Sequence, residues 1–442
     1  MNYQLLIDKA KQAGISDIEV YAQNNEGLRI NLFNSKVEKN VLSRTEGLAI
    51  RGIYNGKMGY VSVENTNDDQ IAFIINALKE NASLISTSEE STIFSGSKSY
   101  VELEAVDTWV KNISPKVKID LLLELEQKLL SIDPRITHVD HCSYQEEIEK
   151  VSIYNSKGLN LEKLDSFLVI YASVVARDGE DVKNHGDYIL ANKFEEIKID
   201  DFAEKVVSKA LSKLNASPVQ SKKYPVIIEN KTFANLLAGF TSMFSGETAV
   251  KNMTPLKEKV GEKIVGENVT LVNDPLYSGS FSQSSFDDEG VACRRTELIS
   301  KGVLNTLLHN LKTAKQLGTE STGNGFKMGL KSPVGVRPFN LYIEPGTSEL
   351  TDMISSIDEG LMITSFQGLH AGVNPVNGDF SLQSSGYLIE NGMIKRAVNL
   401  IVVSGNILEL LSNIELLGKD LEFGLSKIGT PSVKVQLSVS GK

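Results

Sequence analysis

Apolar and polar residues alternate in many short stretches of this chain, with segments of helical period between them. Residues 3–14 place Leu5, Leu6, Ala10 and Ala13 at helical spacing, with Gly14 as the stop. Two-residue alternation then predicts strands over 17–22, 27–33, 37–43 and 47–54. Asn55-Gly56 is a hairpin turn, and 59–63 is its returning strand. Residues 68–82 go back to helical period through Ile71, Phe73, Ile74, Ala77 and Leu78. A Ser/Thr-rich, acidic stretch over 86–114 reads as a long surface connection. The strongest helix follows over 116–130, with Ile119, Leu122, Leu123, Leu125 and Leu129 on one face.

The strand pattern then begins again. Asn34-Ser35-Lys36, two strands and Asn55-Gly56-Lys57 are echoed by Asn155-Ser156-Lys157, two strands and Asp178-Gly179-Glu180. Each copy ends in a helix, over 201–214 in the second. This predicts an internal duplication of a β-meander plus helix. The N-terminal α+β domain is therefore expected over 1–222, split at about 1–114 and 115–222. After a polar stretch at 217–223, a second domain is expected over 223–442. It opens with a strand at 225–228 and a helix at 231–244, then a charged, weakly patterned segment at 247–267. Strands are predicted at 269–272, 291–309, 341–344, 360–365, 380–389 and 393–403, with a turn at Asn391-Gly392, a helix at 405–417 and a closing strand at 432–440. The fold class is α+β, with a mostly antiparallel, β-rich C-terminal domain carrying a few helices.

Composition narrows the functions. The 442 residues are 41% hydrophobic and 23% charged, as in an ordinary globular protein of more than one domain. A net charge of -10 without any Lys/Arg block argues against direct nucleic-acid binding, which needs a basic surface. Asp8 and Lys9 interrupt the N-terminal apolar run, so it does not read as a signal peptide. No apolar stretch reaches membrane-spanning length. The two cysteines, Cys142 and Cys293, fit a reducing compartment, and a cytoplasmic location is expected.

Common catalytic chemistry finds little support. The histidines are His138, His141, His185, His309 and His370, and none lies in H-E-x-x-H. T-H-V-D-H-C (137–142) brings two His and a Cys together, but strand alternation would send His138 and His141 to opposite faces. G-x-S-x-G is missing. Cys293 or a serine with His370 is the remaining route to a self-sufficient hydrolase, although a semi-buried strand cysteine is the simpler reading. Residues 318–326, G-T-E-S-T-G-N-G-F, space glycines like a phosphate loop but lack its lysine, so Gly323 and Gly325 are read as shaping a loop or admitting a close backbone approach.

Two segments suit holding something. F-D-D-E-G-V-A-C-R-R (286–295) concentrates Asp287, Asp288, Glu289, Arg294 and Arg295, acids able to fix a turn and arginines able to grip partner acids or a peptide carboxylate. G-L-H-A-G-V-N-P-V-N-G-D (368–379), with Gly368, His370, Asn374 and Asp379, precedes a strand whose edge would suit an extended peptide.

Together with V-T-L-V-N-D-P-L (269–276), A-K-Q-L-G…S-T-G-N (314–324) and L-L-S-N-I-E…G-K-D-L (410–421), these segments resemble the TldD/PmbA family, and within it the PmbA (TldE) branch. The likeness spans nearly the whole chain. It implies a cytoplasmic metallopeptidase, heterodimeric or closely related, that cleaves unfolded peptides. The family name also carries an association with DNA gyrase modulation, so a regulatory binding module is another implied role. In the TldD branch zinc is held by a helical H-E-x-x-x-H and a cysteine near the C-terminus. Here the corresponding helix reads N-L-L-A-G-F-T-S-M-F-S-G-E (235–247) and the C-terminal segment G-T-P-S-V-K-V (429–435). The resemblance therefore implies no metal and no catalytic residues in this chain. It implies a non-catalytic half that completes the peptide cleft of a zinc-bearing TldD-like partner, with a homodimer as a further possibility.

Overall fold

The computed structural model of the chain describes residues 1–86 and 92–442. Its N-terminal half contains helix α1 (Tyr3–Gln12), strands β1 (Ile15–Phe33), β2 (Lys36–Tyr54) and β3 (Lys57–Val63), and helix α2 (Ile71–Ser83). The same sequence of elements follows in α3 (Pro115–Ser131), β4 (Ile136–Asn155), β5 (Asn160–Asp178), β6 (Asp181–Ala191) and α4 (Ile199–Leu211). The strands form one sheet in the order β3-β2-β1-β4-β5-β6, with β1 and β4 antiparallel at its centre. The two copies of the meander thus meet back to back, which is the internal duplication seen in the turn residues.

The helices cover one face of this sheet. Leu6, Ile7 and Ala10 of α1 and Ile74 and Leu78 of α2 bury against Ile18, Val20, Leu48 and Ile50. Leu122, Leu125 and Leu129 of α3 and Phe202, Val206 and Val207 of α4 bury against Ile30, Tyr144, Ile170 and Val174. Ser114 caps α3 and Pro115 occupies its first turn, as helix starts favour. The opposite face presents Tyr21, Val151 and Ile153 to Phe286 of the C-terminal half.

Strands β1 and β2 are longer than their apolar pattern predicts. Each runs unbroken where two shorter strands were expected, because the polar stretch from Gln23 to Gly27 stays paired with β2 on one side and β4 on the other. Backbone pairing needs no apolar side chain. Strand β4 departs from simple alternation: register shifts at 136/138 and 139/141 turn both His138 and His141 outward, while Val139 and Cys142 face the core. The expectation of opposite faces is corrected accordingly. Part of the connection expected over 86–114 falls on 87–91, outside the described residues. From 92 to 108 it runs without regular elements.

The C-terminal half contains β7 (Lys222–Ile228), α5 (Asn230–Ala238), α6 (Gly246–Val250), β8 (Leu271–Asn273), β9 (Thr296–Ser300), β10 (Val303–Leu304) and α7 (Leu311–Leu317). It continues with β11 (Gly325–Lys327), β12 (Val334–Val336), β13 (Leu341–Ile343), α8 (Leu350–Ser355), β14 (Glu359–Gln367), α9 (Leu369–Gly372), β15 (Asp379–Glu390) and β16 (Met393–Asn406). It ends with α10 (Ile407–Ser412), β17 (Leu416–Leu417), β18 (Glu422–Phe423), β19 (Ile428–Thr430) and β20 (Val433–Ser440). One sheet runs β16-β15-β14-β7-β20-β17, and a β16–β20 pairing closes it on itself. A second runs β10-β9-β8-β13-β19-β18. Pairing is mostly antiparallel, with β7–β14 and β13–β19 parallel.

Three predicted elements are shorter than expected. The strand over 291–309 reduces to the small β9–β10 hairpin, because Lys301 and Gly302 both take positive φ and turn the chain. The helix over 231–244 stops at Ala238, and a tight turn of 3-10 helix follows at Thr241–Phe244. The late helix over 405–417 is confined to α10, capped by Asn406, and Leu416–Leu417 instead pair with β20.

Candidate functional site

The acid-rich turn lies where the two halves meet, and its carboxylates are buried. Asp287 is fully buried and accepts backbone N–H groups from Glu289 (3.0 Å), Val291 (2.9 Å) and Gly325 (2.8 Å). Asp288 accepts from Lys163 Nζ at 3.0 Å and from the Lys327 N–H at 2.8 Å. Glu289 accepts the Leu311 N–H at the start of α7 (2.8 Å), where a carboxylate suits the helix dipole, and lies 3.8 Å from Arg51. Arg51 in turn holds Glu19 at 2.8 Å. The N-terminal half grips this turn again through Tyr100, whose hydroxyl donates to the Gly290 carbonyl at 2.7 Å, and through Ser97, whose Oγ accepts the Ala292 N–H.

Electrostatics follow from this burial. Desolvation, then the neighbouring Glu289 charge, push the Asp287 carboxyl well above the usual range, against its three N–H donors. Glu289 is also raised by burial, with Arg51 opposing. For Lys163, burial would lower the ammonium, but Asp288 outweighs it and the group is raised. Burial and then Asp287 push the Cys293 thiol well above its ordinary value, and its Sγ donates to the Gly323 carbonyl at 3.4 Å. That is an inert, packed thiol rather than a poised nucleophile.

The other candidate residues lie elsewhere or are exposed. Arg294 donates to the Ser321 carbonyl at 2.9 Å, and Arg295 bridges Glu297 and Glu344 at 2.6 Å each. Gly368 takes a left-handed φ of 75° and begins α9, which carries an exposed His370. Asn374 accepts from the Val376 N–H, and Asp379 accepts from Asn377 and Asn406 side chains. This loop packs through Val373 beside Gly239, just past α5. Strand β15 beyond it is paired with β14 and β16 over 383–390, so that stretch has no free edge.

The helix that the resemblance sets against the zinc motif of the TldD branch is core. Phe233, Leu236, Leu237, Phe240, Met243 and Phe244 are buried between the two C-terminal sheets. Asn230 at its start meets the C-terminal segment: Thr430 Oγ1 donates to the Asn230 carbonyl (2.8 Å), and Ser432 Oγ accepts the Asn230 N–H and donates to Asp420 (2.6 Å). These segments offer amides and hydroxyls engaged with one another, together with Asp420, and they lack the imidazole and thiolate donors zinc prefers. The residues present do not fit a zinc site. Among the described residues, no group of three or more His, Cys, Asp and Glu is arranged to hold a metal ion.

The fold is a duplicated meander joined to a two-sheet β domain whose central helix is apolar, and it is that of a known metallopeptidase family. The PmbA/TldA metallopeptidase models match in three parts: domain 1 over residues 18–82, the central domain over 110–214 and the C-terminal domain over 221–441. The chain belongs to the PmbA/TldD family. It is 27% identical to a metalloprotease of Methanocaldococcus jannaschii, over 98% of this chain and 96% of that one. It is also 26% identical to a metalloprotease PmbA homologue of Haemophilus influenzae, over 98% of this chain and 94% of the other. Among solved structures, it resembles TldE of Thermococcus kodakarensis with a TM-score of 0.92 and 25% identity, covering 99% of this chain and 100% of the other. A Thermotoga maritima structure described as a modulator of a DNA gyrase gives a TM-score of 0.92 at 30% identity, over 99% of both chains.

Sequence reading missed that the acids would be buried and which residues would meet them. Arg51, Lys163 and Tyr100 come from segments distant in the chain, and no local pattern announces such partners. One signal was readable: Gly323 and Gly325 make room for close packing. A Cβ on Gly325 would lie 2.6 Å from Glu289 Oε2, and one on Gly323 would lie 2.8 Å from the Ala292 carbonyl.

Proposed function

We propose that this chain is the TldE-like, non-catalytic half of a cytoplasmic two-subunit metallopeptidase acting on unfolded peptides. It completes the peptide cleft of a zinc-bearing TldD-like subunit, and the metal chemistry is assigned to that partner. The observation that carries this reading is the apolar, buried helix α5 with its Ser/Thr-lined neighbour segment, inside a fold otherwise kept at full length. In this reading the buried acids Asp287, Asp288 and Glu289 hold a loop in place. The exposed Arg294 and Arg295, with Gly368, His370, Asn374 and Asp379, meet the partner or the peptide.

Assembly tests this directly. Mixed with a TldD-type subunit, the chain is expected to co-elute as a one-to-one complex, with zinc in the partner and well below one equivalent in this chain purified alone. Arg294→Ala with Arg295→Ala is expected to weaken the complex. Unchanged assembly and peptide turnover in the double variant would remove the arginines from the interface, and stoichiometric zinc in the lone chain would overturn the assignment of roles.

A further inference from the structure

Between the N-terminal sheet and the C-terminal half lies a cavity of about 300 Å³, at the lower end of the size range of small-ligand sites. Its charged lining is Lys163, Lys327, Arg337 and Lys427 against Glu149, Asp165 and Asp288. Four cations less three carboxylates leave one formal positive charge. Most of these groups have partners. Lys163 bonds Asp288, Lys427 donates to Ser282 Oγ at 2.8 Å and lies 3.8 Å from Asp165, Lys327 donates to the Ser332 carbonyl, and Glu149 accepts from Gln23.

Arg337 is the exception. Its Nε is buried without a hydrogen-bond partner, and among the described residues no carboxylate pairs with its guanidinium, whose terminal nitrogens are left for an anion. The guanidinium is a planar fork that matches a carboxylate with two parallel hydrogen bonds. Beside it, Phe326 and Phe339 stack with ring centroids 5.2 Å apart, and both line the cavity. Lys427 lies 3.9 Å from the Phe339 ring centroid. The lining therefore joins an unmatched fork and an aromatic wall within one small, net-positive space.

We propose that this cavity binds the C-terminal carboxylate of a peptide end, with Arg337 as the fork and the Phe326–Phe339 wall against the adjoining apolar side chain. The single excess charge matches a monoanion better than a phosphate dianion. Burial holds the ammonium groups of Lys327 and Lys427 below their usual values against the pull of nearby carboxylates, so an entering anion would favour their charged forms. The site belongs to this chain alone and does not depend on a zinc-bearing partner.

Isothermal titration calorimetry on the full chain tests it with three probes: N-acetylphenylalanine, its carboxamide and inorganic phosphate. The carboxylate is expected to bind at one saturable site, and the amide and phosphate to bind at least about tenfold more weakly. Arg337→Gln is expected to lose about tenfold in affinity with an unchanged melting temperature, and Arg337→Lys to recover part of it. Should Arg337→Gln not fold, Met328→Trp, at an exposed residue of the cavity rim, is expected to block binding by filling the mouth. Equal binding of acid and amide, tighter binding of phosphate, wild-type affinity in Arg337→Gln or Met328→Trp, or no saturable carboxylate binding would each overturn the proposal.

Discussion

Glu289 pairs with Arg51 and caps α7, yet burial still raises its carboxyl above the ordinary 4.5. A carboxyl raised in the folded state binds more protons there than in the unfolded chain. Its contribution to stability is therefore greatest at low pH and falls as pH climbs from about 4.5 towards the folded-state value. Asp287, raised for the same first reason, adds in the same direction. Urea unfolding of wild type and Glu289→Gln between about pH 5 and 8 should show a decline in wild-type stability that is shallower in the variant. Identical slopes would mean that Glu289 does not titrate in this window. At Cys293, burial predicts that native protein resists thiol reagents at mildly alkaline pH and that unfolded protein reacts fully. Cys142, pushed up by burial to about 12, should behave likewise. Fast native labelling at Cys293 would revive the Cys293/His370 hydrolase. The residue types of this site were visible in the sequence. Their burial was not, because whether an acid is solvated or buried depends on Arg51, Lys163 and Tyr100, which only the folded chain brings near.

At the scale of elements, Gly323 carries a backbone φ of +73° against Ala292, so a side chain there faces both strain and a clash. Gly323→Ala is expected to cost about 1–3 kcal/mol in urea unfolding. A neutral result would show that the 318–326 loop can relax away from the acid-rich turn. Helix α5 gives a second check. Leu236 is fully buried, and Leu236→Ala is expected to cost about 2–5 kcal/mol, as for a core leucine. A cost under about 1 kcal/mol would suggest that the helix borders an open cleft. Element types were largely legible, since amphipathic periods and Asn-Gly turns at 55–56 and 391–392 act locally. Lengths were less so. The polar middle of β1 is held by backbone pairing on both sides, and the β9–β10 hairpin depends on positive φ at Lys301, a residue type that seldom marks a turn.

For the whole molecule, the duplication explains the sheet, and the sheet explains the seam. Back-to-back meanders leave one face covered by four helices and the other free to meet the acid-rich turn. The repeat could be read from turn residues because both copies keep the same loop chemistry. The cavity around Arg337 could not, because its lining gathers residues from β1, β4, β5 and the C-terminal half. The proposed division of labour gives this chain the family's fold and a partner the metal. Its most direct test is cleavage of an unstructured peptide by the purified chain alone, by a TldD-type subunit alone and by the mixture, each with and without chelator. Turnover that needs the mixture and is abolished by chelator is the predicted result. Chelator-resistant turnover by this chain alone would contradict it.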